Sequence, residues 1–126
     1  MRTSVSAQSE LIFDREGETV FIDEWLKSLP FQVQTKCLFY LERLQNEGHH
    51  FRRPVADILR NGIYELRPSI QGVHYRILYF FAGKNVVVVS HGLTKESQVP
   101  AVEINRAIER KKKFEANPRL HTFKRG

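Results

Sequence analysis

The segment from Asn61 to Leu93 constrains the fold more than any other part of the chain. Three strand-like runs, 63–67, 73–81 and 86–93, are separated only by Pro68-Ser69-Ile70-Gln71-Gly72 and Gly83-Lys84-Asn85. Links this short cannot hold a crossover helix, so the runs must form an antiparallel meander. The turn pair Asn61-Gly62 opens it. Upstream, Leu11 and Phe13 alternate with Ile12 and Asp14 as a first strand, which Arg15-Glu16-Gly17-Glu18 breaks. Thr19 is a good N-cap, and Phe21, Trp25 and Leu29 recur every fourth residue, as on a short helix. Pro30 suits the first turn of a second helix, where Val33, Cys37, Leu41 and Leu44 form one apolar stripe and Gly48 is the stop.

The last element opens at Pro100, shows an apolar face of Ile104, Ala107 and Ile108, and ends at Asn117-Pro118. The order is therefore β-α-α-β-β-β-α, an α+β domain over residues 1–118 followed by a basic flexible tail over 119–126. The helices are expected on one face of the sheet, leaving the other face and its rim for a ligand. The chain has 126 residues, enough for one core. No apolar run reaches the length of a membrane span, no secretory leader is visible, and the single Cys37 cannot form an internal disulfide. A cytoplasmic protein with no membrane partner is the expectation.

Charge is unevenly spread. The net charge is +6, yet residues 106–126 alone hold 8 basic and 2 acidic residues. Arg106, Arg110 and Lys113 fall on one side of the last helix, a basic ridge suited to RNA or the ribosome, because each neutralised phosphate releases counterions. A solvated basic tail docking an acidic protein explains the same charge equally well.

The period of two along a strand sorts the meander. His74, Arg76, Leu78 and Phe80 share one side, and Val73, Tyr75, Ile77, Tyr79 and Phe81 form the core side. Arg76 thus looks outward. His91 falls with Val87, Val89 and Leu93, and Lys95 follows directly. Arg67, Arg76, His91 and Lys95 sit on three adjacent segments and gather cations around one imidazole. Metal-free RNA cleavage needs a base for the 2′-hydroxyl, an acid for the departing 5′-oxygen and positive charge on the phosphate. Histidine suits the first roles and arginine the last. A structural strand histidine and a surface Glu65–Arg67 ion pair are the plainer readings. His49-His50 has no third ligand spaced nearby, so no metal is expected there. Cys37 reads as inert core, and Trp25 as packing rather than base stacking.

From Leu59 to Phe114 the chain resembles the phage-derived, HigB-like branch of the RelE/ParE toxins. The residues that carry this are Gly62-Ile63-Tyr64-Glu65-Leu66-Arg67, Tyr75-Arg76-Ile77-Leu78-Tyr79, His91-Gly92-Leu93-Thr94-Lys95 and Pro100-Ala101-Val102-Glu103-Ile104, with Ala107, Arg110 and Phe114. The resemblance implies a RelE-like fold and a ribosome-dependent mRNA endonuclease with no metal or other cofactor. It also implies a cognate antitoxin with a helix-turn-helix domain. It points to Arg67 and Arg76 as phosphate-handling arginines and to His91 and Lys95 as site residues. The branch often has a second lysine where this chain has Glu96. A ParE-like gyrase poison, or an inactive binding module, would share the scaffold.

Overall fold

Two hairpins show why the central segment folds as it does. In the computed structural model, which describes residues 9–94 and 98–124, Asn61 and Gly62 both have positive φ (53° and 78°). This is the two-residue turn whose twist matches paired strands. It joins β3 (Ala56–Arg60) to β4 (Ile63–Leu66). Gln71-Gly72 repeats the geometry (52° and 80°) between β5 (Ser69–Ile70) and β6 (Val73–Ala82). From Tyr75 to Ala82 the long strand β6 then pairs with β7 (Val86–Thr94). At the N-terminal side, β1 (Glu10–Glu16) lies parallel to β7, and β2 (Thr19–Val20) pairs back onto β1. The main path runs β2-β1-β7-β6-β4-β3. The described residues thus form an α+β fold with three α-helices and an eight-stranded mixed sheet.

The helices are α1 (Phe21–Lys27), α2 (Phe31–Glu47) and α3 (Ala101–Ala116). Val33, Cys37, Leu41 and Leu44 of α2 are buried as their spacing requires. In α1 the fully buried pair is Ile22 and Leu26, while Phe21, Trp25 and Leu29 are only half-buried. Thr19 is not a cap: it pairs with Glu16 across β2, and Val20 precedes the helix.

Three expectations need correction. Strand β3, on the far edge of the sheet, was not foreseen. The opposite sheet face is not free: α1 and α2 cover Ile77, Tyr79, Val87 and Val89, while α3 covers Leu78, Phe80 and Val88 with Ala107 and Phe114. The reason is in β6 itself, which is apolar on both sides from Ile77 to Phe80; such a strand must be covered twice. Each large side chain so buried contributes roughly 1.5–3 kcal/mol. The stretch after Asn117 is not a free tail. It forms a 3-10 turn (Pro118–His121) and β8 (Thr122–Phe123), which pairs with Phe13 and Asp14 of β1.

Candidate active site

The β6–β7 register contains one irregularity that decides the site. Leu78 pairs with His91, but Tyr79 pairs with Val89, so Ser90 is an extra residue bulged out of β7. Strict alternation would have sent His91 beneath the helical pair with Val87 and Val89. The bulge turns it to the other face, opposite Leu78 and under the first turn of α3. Arg76 pairs with Leu93, so Arg76 and His91 are diagonal neighbours on that face, about 7–8 Å apart by ordinary sheet geometry. Glu65 pairs with Leu78 and flanks Arg76 from the other side.

Arg76 does not look outward. It is buried, with Nε 3.1 Å from Glu65 Oε1 and Nη1 donating to the Tyr75 carbonyl at 3.1 Å. Arg67 follows directly after β4 and is one-third exposed. Its Nε and Nη2 donate to Glu65 Oε2 at 2.9 and 2.7 Å, and Nη2 also lies 3.4 Å from Asp57. One buried carboxylate therefore holds both arginines side by side. Asp57 in turn takes Arg53 at 2.8 Å, which helps hold its carboxyl below the usual range against the opposing effect of its burial.

The imidazole is enclosed as well. His91 is 7% exposed; its Nε2 lies 2.9 Å from Glu103 Oε1, and its Nδ1 lies 2.8 Å from Ser90 Oγ. Arg106 Nη1 donates to the same Glu103 oxygen at 2.7 Å. Burial pushes the His91 imidazole well below its ordinary pKa. The Arg110 guanidinium adds to this, and the Glu103 carboxylate opposes it. Burial also acts to raise Glu103, but the hydrogen bonds from His91 and Arg106 outweigh it and hold the carboxyl below its usual value. Near neutral pH the pair is thus a neutral imidazole and a carboxylate. Nε2–H donates to Glu103, and the Ser90 hydroxyl donates to Nδ1.

Of the sequence-chosen residues, Arg67, Arg76 and His91 come together on the α3 face of β4, β6 and β7. Lys95 lies outside the described residues. Arg106 joins the cluster through Glu103. Arg110 and Lys113 do not form a free ridge: Arg110 stacks over the Phe21 ring at 3.6 Å, and Lys113 pairs with Glu16 at 3.0 Å. Glu65, Ser90 and Glu103 were not singled out for the site by sequence reasoning. A signal for Glu65 was its alternation with Arg67. Nothing in the sequence alone placed Glu103 opposite His91, because that contact joins two elements. His49 stacks on Phe81 at 3.7 Å, which accounts for one member of the His49-His50 pair. A separate groove of about 620 Å³ beside β3 is lined by His49, Phe51, Arg52, Arg53 and Tyr64.

Against this geometry stands one comparison with known proteins. The family described as Phage derived protein Gp49-like (DUF891) matches residues 24–112, which covers the second half of α1, all of α2, the meander and most of α3. Among curated proteins no sequence matches the chain.

Proposed function

The chain belongs to the Phage derived protein Gp49-like family, a family of toxin–antitoxin toxins, and on that premise we propose that it cuts messenger RNA on the ribosome without a metal. The observation that carries this reading is the diagonal adjacency of Arg76 and His91 on one sheet face, with Arg67 beside them and the Glu103–Arg106 pair of α3 above His91. Phosphodiester transfer to a 2′-hydroxyl asks for a proton acceptor next to fixed cations, and this face supplies both. The O2′ oxygen attacks phosphorus, the P–O5′ bond breaks, and a 2′,3′-cyclic phosphate and a 5′-hydroxyl remain. Arg76 and Arg67 are held rigidly by Glu65, so their charge costs little reorganisation when a phosphate approaches. The same reading supplies the partners: the ribosome and mRNA as target, and a cognate antitoxin with a helix-turn-helix domain as neutraliser.

Induced expression without antitoxin should arrest growth and leave transcripts with new 5′ ends inside coding regions. Arg76→Ala or His91→Ala should relieve the arrest, the arginine variant cutting the cleavage rate by roughly 10²–10³. Inhibition of gyrase supercoiling with intact transcripts would overturn the reading in favour of a gyrase poison, and normal growth at strong expression would overturn it in favour of a binding module.

A further inference from the structure

We infer that Glu103, not His91, is the group that takes the proton from the 2′-hydroxyl, with His91 and Arg106 as the residues that position it. The inference deepens the nuclease reading and rests on it. Three observations carry it.

First, both imidazole nitrogens are engaged. Nε2 is on Glu103 and Nδ1 is on Ser90, and Ser90 is fully buried in the bulge, so that side of the ring has no path to a substrate. Second, the accessibility runs the wrong way for a histidine catalyst. The Glu103 side chain is 19% exposed and lies between His91, at 9%, and solvent-facing Arg106, at 48%. A ribose approaching past Arg106 meets the carboxylate before the imidazole. Third, the carboxylate is fixed at one oxygen by two donors, Nε2 of His91 and Nη1 of Arg106, at 2.9 and 2.7 Å. That leaves its basic atom oriented rather than free to rotate, and puts a guanidinium next to the point of proton transfer. Orientation of this kind is what a third group does for a base in other acid–base sites.

The step balances without a further reagent other than water. The O2′–H bond breaks and its proton goes to the Glu103 carboxylate. The O2′–P bond forms and the P–O5′ bond breaks. The departing 5′-oxygen takes a proton from water, and Glu103 returns its proton to the resulting hydroxide. Arg106 and Arg76 face the phosphate that gathers negative charge.

The alternative is that Glu103 merely docks the start of α3 onto β7. The two roles separate in single-turnover cleavage of ribosome-bound mRNA by the full chain. Glu103→Gln keeps an oxygen that accepts from His91 and Arg106 but cannot take a proton. The maximal rate should fall about 100-fold or more, with half-saturating toxin concentration changed by less than about threefold. His91→Asn should cost less, on the order of tenfold, since it removes a positioning contact. If the glutamine variant does not fold, Glu103→Asp, which keeps the carboxylate but withdraws it by one methylene, should fold and cut more slowly than wild type. Cutting by Glu103→Gln within roughly tenfold of wild type, a larger loss from His91→Asn, or unchanged cutting by Glu103→Asp would overturn the inference while leaving the nuclease reading intact. A wild-type protein that makes no cuts would defeat both.

Discussion

Replacing Gly92 by alanine tests the architecture behind His91 most directly. Gly92 has no positive φ, so its constraint is space rather than backbone freedom. A Cβ there would lie 2.2 Å from Cδ2 and Cε3 of Trp25 and 2.6 Å from Cε2. Carbon atoms settle at about 3.5–4.0 Å, so the indole must retreat by more than about 1.3 Å. It cannot do so freely. Its Nε1–H donates to Thr94 Oγ1 at 3.1 Å, and its ring meets Tyr75 edge-on at 6.3 Å. The cost therefore belongs at the upper end of overpacking, about 3 kcal/mol. For 126 residues the unfolding entropy is about 0.26 kcal/mol/K, which converts this to a fall in Tm of about 11 °C. Trp25 is the only tryptophan, so its emission reports the contact without labelling. Thermal unfolding of Gly92→Ala should show the drop together with a shifted emission maximum. Trp25→Leu should be destabilising alone yet recover at least about 1 kcal/mol in the Gly92→Ala background, a favourable coupling between touching residues. A Tm within about 2 °C of wild type and an unmoved spectrum would refute the packing argument.

Three further outcomes follow from the geometry. Glu65→Ala removes the buried carboxylate beneath two guanidiniums and should cost about 3–5 kcal/mol in urea unfolding, whereas Arg67→Ala, at a partly exposed pair, should cost under about 1 kcal/mol; equal losses would contradict the placement of Arg76. Asp14 is buried, and desolvation raises its pKa to about 6 from 3.8, against the pull of His121 and Arg110. A raised carboxyl contributes stability that is complete below the unfolded pKa and is lost as pH rises through 6, so Asp14→Asn should gain on wild type by up to about 3 kcal/mol between pH 4 and 7; a constant difference across that window would exclude a buried acid. Truncation after Asn117 removes β8, the His121 Nδ1 bond to the Arg15 carbonyl and the Lys124–Glu10 pair at 2.6 Å. It should cost about 2 kcal/mol or more by differential scanning calorimetry, where a dispensable tail would cost nothing.

The meander was legible because its turns are chemical signals: Asn61-Gly62 and the glycines at 72 and 83 leave few ways to join the runs. The stripe of α2 was legible because four buried residues repeat on one helix face. What failed did so for a shared reason. Asn61-Gly62 is a hairpin turn, and a hairpin needs a strand on both sides, so β3 was implied by the same dipeptide that announced β4. The mixed segment Ala56-Asp57-Ile58-Leu59-Arg60 hid it by looking like a loop. The alternating reading of β6 assigned one core face. It passed over Leu78 and Phe80, which were enough to demand a second cover, and the apolar face of α3 had no other place to go. The part after Asn117 looked dispensable because its pairing with β1 spans more than a hundred residues, a contact that local composition does not announce.

The site follows the same pattern, and one inserted residue explains two neighbours at once. In a regular β7, His91 would enter the layer filled by Ile22, Leu26, Tyr75 and Ile77, where an imidazole would lose its hydrogen bonds to water. The bulge at Ser90 takes it to the other face, where Glu103 and the Ser90 hydroxyl engage both nitrogens. Gly92 then inherits the position facing α1, directly against the Trp25 ring, and no larger residue fits there. The sequence pair His91-Gly92 is thus one structural decision: the histidine is turned toward α3, so its successor must be turned toward Trp25 and must lack a side chain. Strand periodicity cannot announce a bulge, because a bulge is defined by the partner strand. The glycine is the trace it leaves in the sequence, and a histidine followed by glycine just after a run of valines is where the period of two breaks.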